Sequence, residues 1–169
     1  MADLATPTDF SLSASDCPLV QIEGWDGTLE KFEASLSQAL GTPLPALVGE
    51  TVCHADSLIV RVAPRRFWLI STGASQAPSP AVDPELGCLV PLGEGRVRFT
   101  MTGARVPKVL SACIVVDWHS PAAAPGRALH TSLHHVPVLF VRTGMIDCEL
   151  IVPRSFATSL SDWIIEIAG

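Results

Sequence analysis

Apolar and polar residues alternate along much of this chain, and three stretches replace the alternation with a helical period. The run L-V-Q-I-E-G-W at Leu19–Trp25 changes side at successive residues and predicts a strand. Thr28 then offers a hydroxyl N-cap to a helix in which Leu29, Phe32, Leu36 and Leu40 recur every three or four positions, and Gly41 with Pro43 stops it. Glu50–Ala63 is extended in pattern, with a break near Asp56 and with Val60 and Val62 sharing a face. After Pro64 a further strand is expected over Arg66–Ser71. Thr72–Pro84 contains Pro78, Pro80 and Pro84 among small polar residues, which deny it a ladder or a helix and predict a long surface loop.

Cys88–Leu92, a turn at Gly93-Glu94-Gly95 and Arg96–Met101 together suggest a hairpin. A short helix opens at Thr102 or Gly103 and runs through Cys113, with Pro107 tolerated in its first turn because the first amides of a helix have no internal acceptor. Val115–Trp118 is apolar, and Ser120–Gly126 forms another loop. Three strands follow, at Leu129–Leu133, Val136–Arg142 and Ile146–Val152, with a turn at Thr143 and Gly144. The final helix, Ser155–Ala168, gathers Phe156, Leu160, Trp163, Ile164 and Ile167 on one face. Residues Met1–Pro18 show neither period, so an irregular N-terminal arm (1–18) is expected ahead of one domain over 19–169. Strands interrupted by two helices and closed by a third predict an α+β fold: an antiparallel or mixed sheet with about three helices packed on one face.

Composition changes this picture in one respect. Apolar residues make up 48% of the 169 and charged ones only 17%, so either a thick core or an uncharged contact surface must take up the excess. The net charge of −6 with few, dispersed basic residues argues against nucleic acid as a partner, because phosphate recognition relies on clustered Lys and Arg. No apolar stretch approaches the roughly 20 residues of a membrane helix, and the start M-A-D-L-A-T-P-T-D lacks the basic and apolar regions of a signal peptide. Cys17, Cys53, Cys88, Cys113 and Cys148 are odd in number, widely spaced and without a C-x-x-C pair, so separate free thiols and a cytoplasmic location are expected.

Candidate chemistry is sparse. His130, His134 and His135 are close in sequence, but on a strand His130 and His134 would stand roughly 13 Å apart, too far to share a metal; a zinc site would need help from Cys53 and His54. L-G-E-G-R-V-R carries two glycines but leads into a strand and has Arg98 where a dinucleotide fingerprint needs its third glycine. There is no G-x-S-x-G elbow, and Asp117, Asp147, Glu149 and Asp162 stand singly. These readings assign no catalytic, cofactor-binding or metal-binding residue. Arg65, Arg66, Phe67 and Trp68 combine two guanidinium groups with two aromatic rings, a composition enriched at interface hot spots, and are candidates for subunit contact. The alternative is a strand start whose Phe67 or Trp68 faces the core.

Four segments carry a family resemblance: P-R-R-F-W-L-I at Pro64–Ile70, V-R-F-T-M-T-G-A-R at Val97–Arg105, P-G-R-A-L-H-T-S-L-H-H-V-P-V-L-F-V-R at Pro125–Arg142, and L-I-V-P-R-S-F-A-T-S-L at Leu150–Leu160. Together they resemble the gamma subunit of heterotetrameric sarcosine oxidase, over roughly Leu19–Gly169. The resemblance implies part of the folate-binding aminomethyltransferase fold and an assembly with alpha, beta and delta chains. It also implies that FAD, FMN, NAD and tetrahydrofolate are bound by the larger subunits and zinc by delta. The implied role is that of an accessory, non-catalytic chain in the oxidative demethylation of sarcosine or a related N-methyl amino acid. A free-standing folate-dependent aminomethyltransferase is the alternative. The carboxylate that related aminomethyltransferases use near folate has no counterpart recognisable by a surrounding motif, Asp117 included.

Overall fold

A computed structural model describes residues 9–73, 76 and 79–169. Among these residues ten strands divide between two antiparallel sheets. The strands are β1 (Ser11–Asp16), β2 (Leu19–Gly24), β3 (Thr51–His54), β4 (Ser57–Ala63), β5 (Arg66–Ser71), β6 (Gly87–Pro91), β7 (Arg96–Thr102), β8 (Ala128–Leu133), β9 (Val136–Arg142) and β10 (Cys148–Pro153). One sheet has the order β1-β7-β10-β9-β8 and the other β3-β4-β5-β2-β6. The helices are α1 (Leu29–Leu40), α2 (Val106–Cys113) and α3 (Ala157–Ala168).

Period-two burial builds four layers from these elements. On β5, Phe67 and Leu69 join Val20, Ile22 and Ile59 beneath Phe32 and Leu36 of α1. Trp68 and Ile70, pointing the other way, meet Leu139, Val141 and Ile151 between the sheets. The far face of the first sheet, with Phe99, Met101, Phe140 and Leu150, is covered by Val109 and Leu110 of α2 and by Leu160 and Ile164 of α3. Strands buried on both faces read as continuous apolar runs, which is why R-F-W-L-I-S and V-P-V-L-F-V-R show little alternation.

This arrangement answers several sequence expectations. The α+β class and the three helices are present, but the strands form two sheets and the helices cover both outer faces instead of one. The expected hairpin through Gly93–Gly95 does not form: β6 pairs with β2 and β7 with β1 and β10, so this short 3-10 turn carries the chain from one sheet to the other. Residues 11–16, assigned to an irregular arm, form β1 in register with β7, Ser11 opposite Thr102 and Asp16 opposite Val97. The short, Ser-rich S-L-S-A-S-D has low strand propensity and is held by its neighbour. Residues 1–8 of that arm, and 74, 75, 77 and 78 of the proline-rich loop, lie outside the described residues.

Local details show how side chains fix these elements. Thr28 is the residue before α1, but its hydroxyl does not cap; it donates to the carbonyls of Trp25 and Leu86 instead, at 3.1 and 3.0 Å, and ties the helix entrance to the start of β6. Phe32 lies against Gly24 and Gly87, where an added Cβ would come within 2.6 and 2.7 Å of its ring, so α1 sits as close as it does only because both positions lack a side chain. Full burial of a ring such as Phe32 contributes roughly 1.5–3 kcal/mol. His134 and His135 form the two-residue turn between β8 and β9 with φ of 46° and 69°, the left-handed pair that such turns require.

Candidate subunit interface

The sequence motif Arg65–Trp68 separates into two roles. Phe67 is 0% exposed beneath α1, and Trp68 is 6% exposed between the sheets, its indole N–H donating to Gln21 Oε1 at 3.1 Å. Both rings are packed inside this chain, because β5 is a central strand and both of its faces are covered. Arg65 and Arg66 do reach the surface, where Arg65 pairs with Asp26 at 2.8 Å and Arg66 with Glu23 at 2.8 Å. The Arg66 guanidinium holds the Glu23 carboxyl below the usual carboxylate range.

Other features of the surface were not singled out by the sequence. Val115 is 97% exposed and Met145 71%, with Ile146 also exposed. The neighbouring Val116, with Met145, Trp118, Pro121, Pro125 and Lys108, lines an open cleft of about 700 Å³ between the start of α2, the loop before β8 and the β9–β10 turn. Arg142 shapes this cleft. Its buried guanidinium donates to the carbonyls of Trp118, Ala123, Gly144 and Met145 at 2.8–3.1 Å, binding three loop segments together. The sequence signal was the V-R end of a buried strand, which gives no hint that the arginine turns inward to carbonyls.

Between the sheets lies a second buried arginine. Arg98 donates to the carbonyl of Ser71 on the opposite sheet and lies 3.5 Å from Glu149 Oε2. Burial pushes the Glu149 carboxyl up, and Arg98 pulls it part of the way back. Burial also pushes the thiols of Cys17 and Cys113 up to about 11, and that of Cys148 higher still, so none of the three is a ready nucleophile.

The residues weighed as zinc ligands are dispersed over β3, β8 and the β8–β9 turn. His130 is on β8 with its ring edge-on to Trp68, 5.4 Å between centroids, while His134 and His135 occupy the turn and Cys53 and His54 end β3. Among the described residues no group of three or more His, Cys, Asp or Glu side chains is placed to hold a metal ion. The Gly93–Gly95 turn enters a strand, so its amides do not open a helix towards a phosphate, and these residues do not fit a dinucleotide. No helix among the described residues is long and apolar enough to cross a membrane.

Two stacked antiparallel sheets between helices place the chain in the α+β class of aminomethyltransferase-like folds. The structure superimposes on the aminomethyltransferase T of the glycine cleavage system from Bartonella henselae with a TM-score of 0.55 and 15% identity, over 91% of this chain but 45% of that one. A chain of heterotetrameric sarcosine oxidase from Corynebacterium sp. U-96 matches with a TM-score of 0.79 and 24% identity, over 94% of this chain and 83% of that chain. In sequence, the chain is 32% identical over 138 residues to sarcosine oxidase subunit gamma of Arthrobacter sp., covering 79% of this chain and 68% of the relative. It is 27% identical over 137 residues to subunit gamma of Corynebacterium sp. strain P-1. The chain belongs to the sarcosine oxidase subunit gamma family. No family model matches it.

Proposed function

We propose that this chain is the accessory gamma subunit of a heterotetrameric sarcosine oxidase-type complex, assembled with alpha, beta and delta chains, and that it contributes contact surface and no reacting group. The observation that carries the reading is the 32% identity to a gamma subunit over 79% of the chain. The site chemistry agrees with it: three of the five thiols are buried with raised pKa values, and the three buried arginines, Arg61, Arg98 and Arg142, are engaged with carbonyls or a carboxylate. In this reading FAD, FMN and NAD, the tetrahydrofolate site and zinc reside in the partner subunits. The complex removes a methyl group oxidatively from sarcosine or a related N-methyl amino acid and passes the one-carbon unit to tetrahydrofolate. Its location is the cytoplasm.

Co-expression with the three partner chains tests the proposal. A stoichiometric four-chain particle in size-exclusion chromatography is expected, and a stable monomer that ignores the partners overturns it. The likeness to aminomethyltransferase T favours a second reading, a free-standing folate-dependent transferase. Against it stands the higher likeness to gamma subunits, with 32% identity over 138 residues against 15% for the transferase. Calorimetric titration of the isolated chain with tetrahydrofolate separates the two, since saturable binding is expected of the transferase alone.

A further inference from the structure

The geometry points to the outer edge of β1 as a docking site for an extended segment of a partner subunit, which adds a sixth strand to the β1-β7-β10-β9-β8 sheet. This rests on the reading of the chain as a subunit and says which surface serves it.

β1 is the end strand of its sheet and pairs only with β7. In an antiparallel pair, alternate residues turn both backbone groups towards the partner strand, so about three of the six residues of β1 direct N–H and C=O outward. Among the described residues, none of these outward groups has a side-chain or loop partner. Sheet edges are ordinarily blunted by Lys, Pro, a bulge or a cover. S-L-S-A-S-D has no Lys or Pro, its register with β7 is unbroken, and five of its six residues are exposed.

The strand is also fixed in place. At one end the Asp9 carbonyl accepts the Arg105 N–H at 2.9 Å, and Gly103, at a φ of 117°, leaves no room for a side chain, since an added Cβ would come within 2.4 Å of that carbonyl oxygen. At the other end Asp16 pairs with Arg154 at 3.0 Å. A strand pinned at both ends and open along its middle needs little ordering to accept another. Beside it, β1 and α3 enclose a groove of about 590 Å³ floored by Val97 and Phe99 and walled by Ala14, Thr158 and Ser161, with space for the side chains of an added strand.

Charge defines the occupant. The edge is neutral through its middle, Asp16 at one end is already paired with Arg154, and Asp9 stands at the other, so the fitting segment is uncharged along its length and basic where it meets Asp9. A second copy of this chain fits poorly, because both copies carry a net charge of −6 and neither brings a basic residue within β1 to the other's Asp9.

Hydrogen exchange of the outward-facing amides of residues 11–16, those not donating to β7, measured in the free chain and in the four-chain complex, tests the inference. Exchange at least tenfold slower in the complex is expected, and equal rates in a chain that has joined the complex overturn this inference while leaving the subunit reading intact. A chain that never joins overturns both. Slow exchange already present in the free chain overturns it too: if it strengthens with concentration the edge pairs with a second copy, and if it does not, with this chain's own N-terminus. Ser13→Pro and Ala14→Pro, taken in turn, remove amides from opposite edges of β1. The variant that melts like the wild type should lower recovery in the complex at least tenfold, and unchanged recovery overturns the proposal.

Discussion

The guanidinium of Arg142 lies 4.8 Å from the centre of the Trp118 ring while donating a 2.8 Å hydrogen bond to the carbonyl of the same residue. The ring in turn sits edge-on to Phe140, 5.6 Å between centroids, so the loop before β8 is clamped to the strand that carries the arginine. Four carbonyls depend on this one side chain, and each buried acceptor left without a donor costs about 1–3 kcal/mol, lessened where water can enter. Arg142→Ala should lower stability by about 3 kcal/mol in urea unfolding. Arg142→Lys should recover only part of that, because an ammonium keeps the charge but cannot span three loop segments with a planar fork.

The thiols form a graded set. Cys53 is exposed, Cys88 is half-buried, and Cys17, Cys113 and Cys148 are buried with raised pKa values. Since the thiolate is the reacting form, a disulfide reagent at pH 8 should modify Cys53 in a fast phase, Cys88 more slowly and the other three only on unfolding. Cys53→Ser should delete the fast phase and leave the rest unchanged. A fast phase that persists in that variant would assign it to Cys88 or to one of the buried thiols.

Much of this fold was legible because its strands and helices obey simple periods, and the places where reading failed have physical causes. Arg66–Ser71 was bounded correctly by Pro64 and the following Thr-Gly, and α1 by the Gly41-Thr42-Pro43 stop. The division into two sheets was not legible, because pairing partners are chosen by packing: Val90 and Val97 flank the same turn yet belong to different sheets. β1 was missed although Phe10, Leu12 and Ala14 fall at alternate positions, because the pattern is short and the intervening Ser and Asp residues are weak strand formers. The burial of Phe67 and Trp68 was not legible for the converse reason, since both are apolar enough to serve either a core or an interface, and the central position of β5 is what buries them.

Glu23 provides a pH prediction with a definite sign. Its carboxyl is held below the usual range chiefly by the hydrogen bond from Arg66. A folded-state pKa below the unfolded one means that the stabilisation is fully present above the unfolded value and is lost as pH falls through the folded one. Carboxyl-carbon NMR should therefore place the Glu23 midpoint below that of an ordinary glutamate. Arg66→Gln should raise the midpoint towards the ordinary value and remove this component of acid sensitivity. An unchanged midpoint in that variant would assign the shift to another group.

The two halves of the Arg65–Trp68 motif should respond differently to truncation. Trp68 fills space between the sheets, beneath the Arg96 guanidinium at 5.6 Å and beside His130, and β5 can collapse around a hole only by moving both sheets. Trp68→Ala should cost about 3–5 kcal/mol, the range for a buried aromatic ring, and should also leave Gln21 without its indole donor. Arg65 contacts an Asp26 side chain that is 98% exposed, so water screens the pair and Arg65→Ala should shift the unfolding midpoint by no more than its experimental error. Measuring both variants first as free chains and then in the complex separates folding from contact. Any loss of assembly in Trp68→Ala should track its loss of stability, whereas a loss in Arg65→Ala, at unchanged stability, would place Arg65 at a subunit boundary.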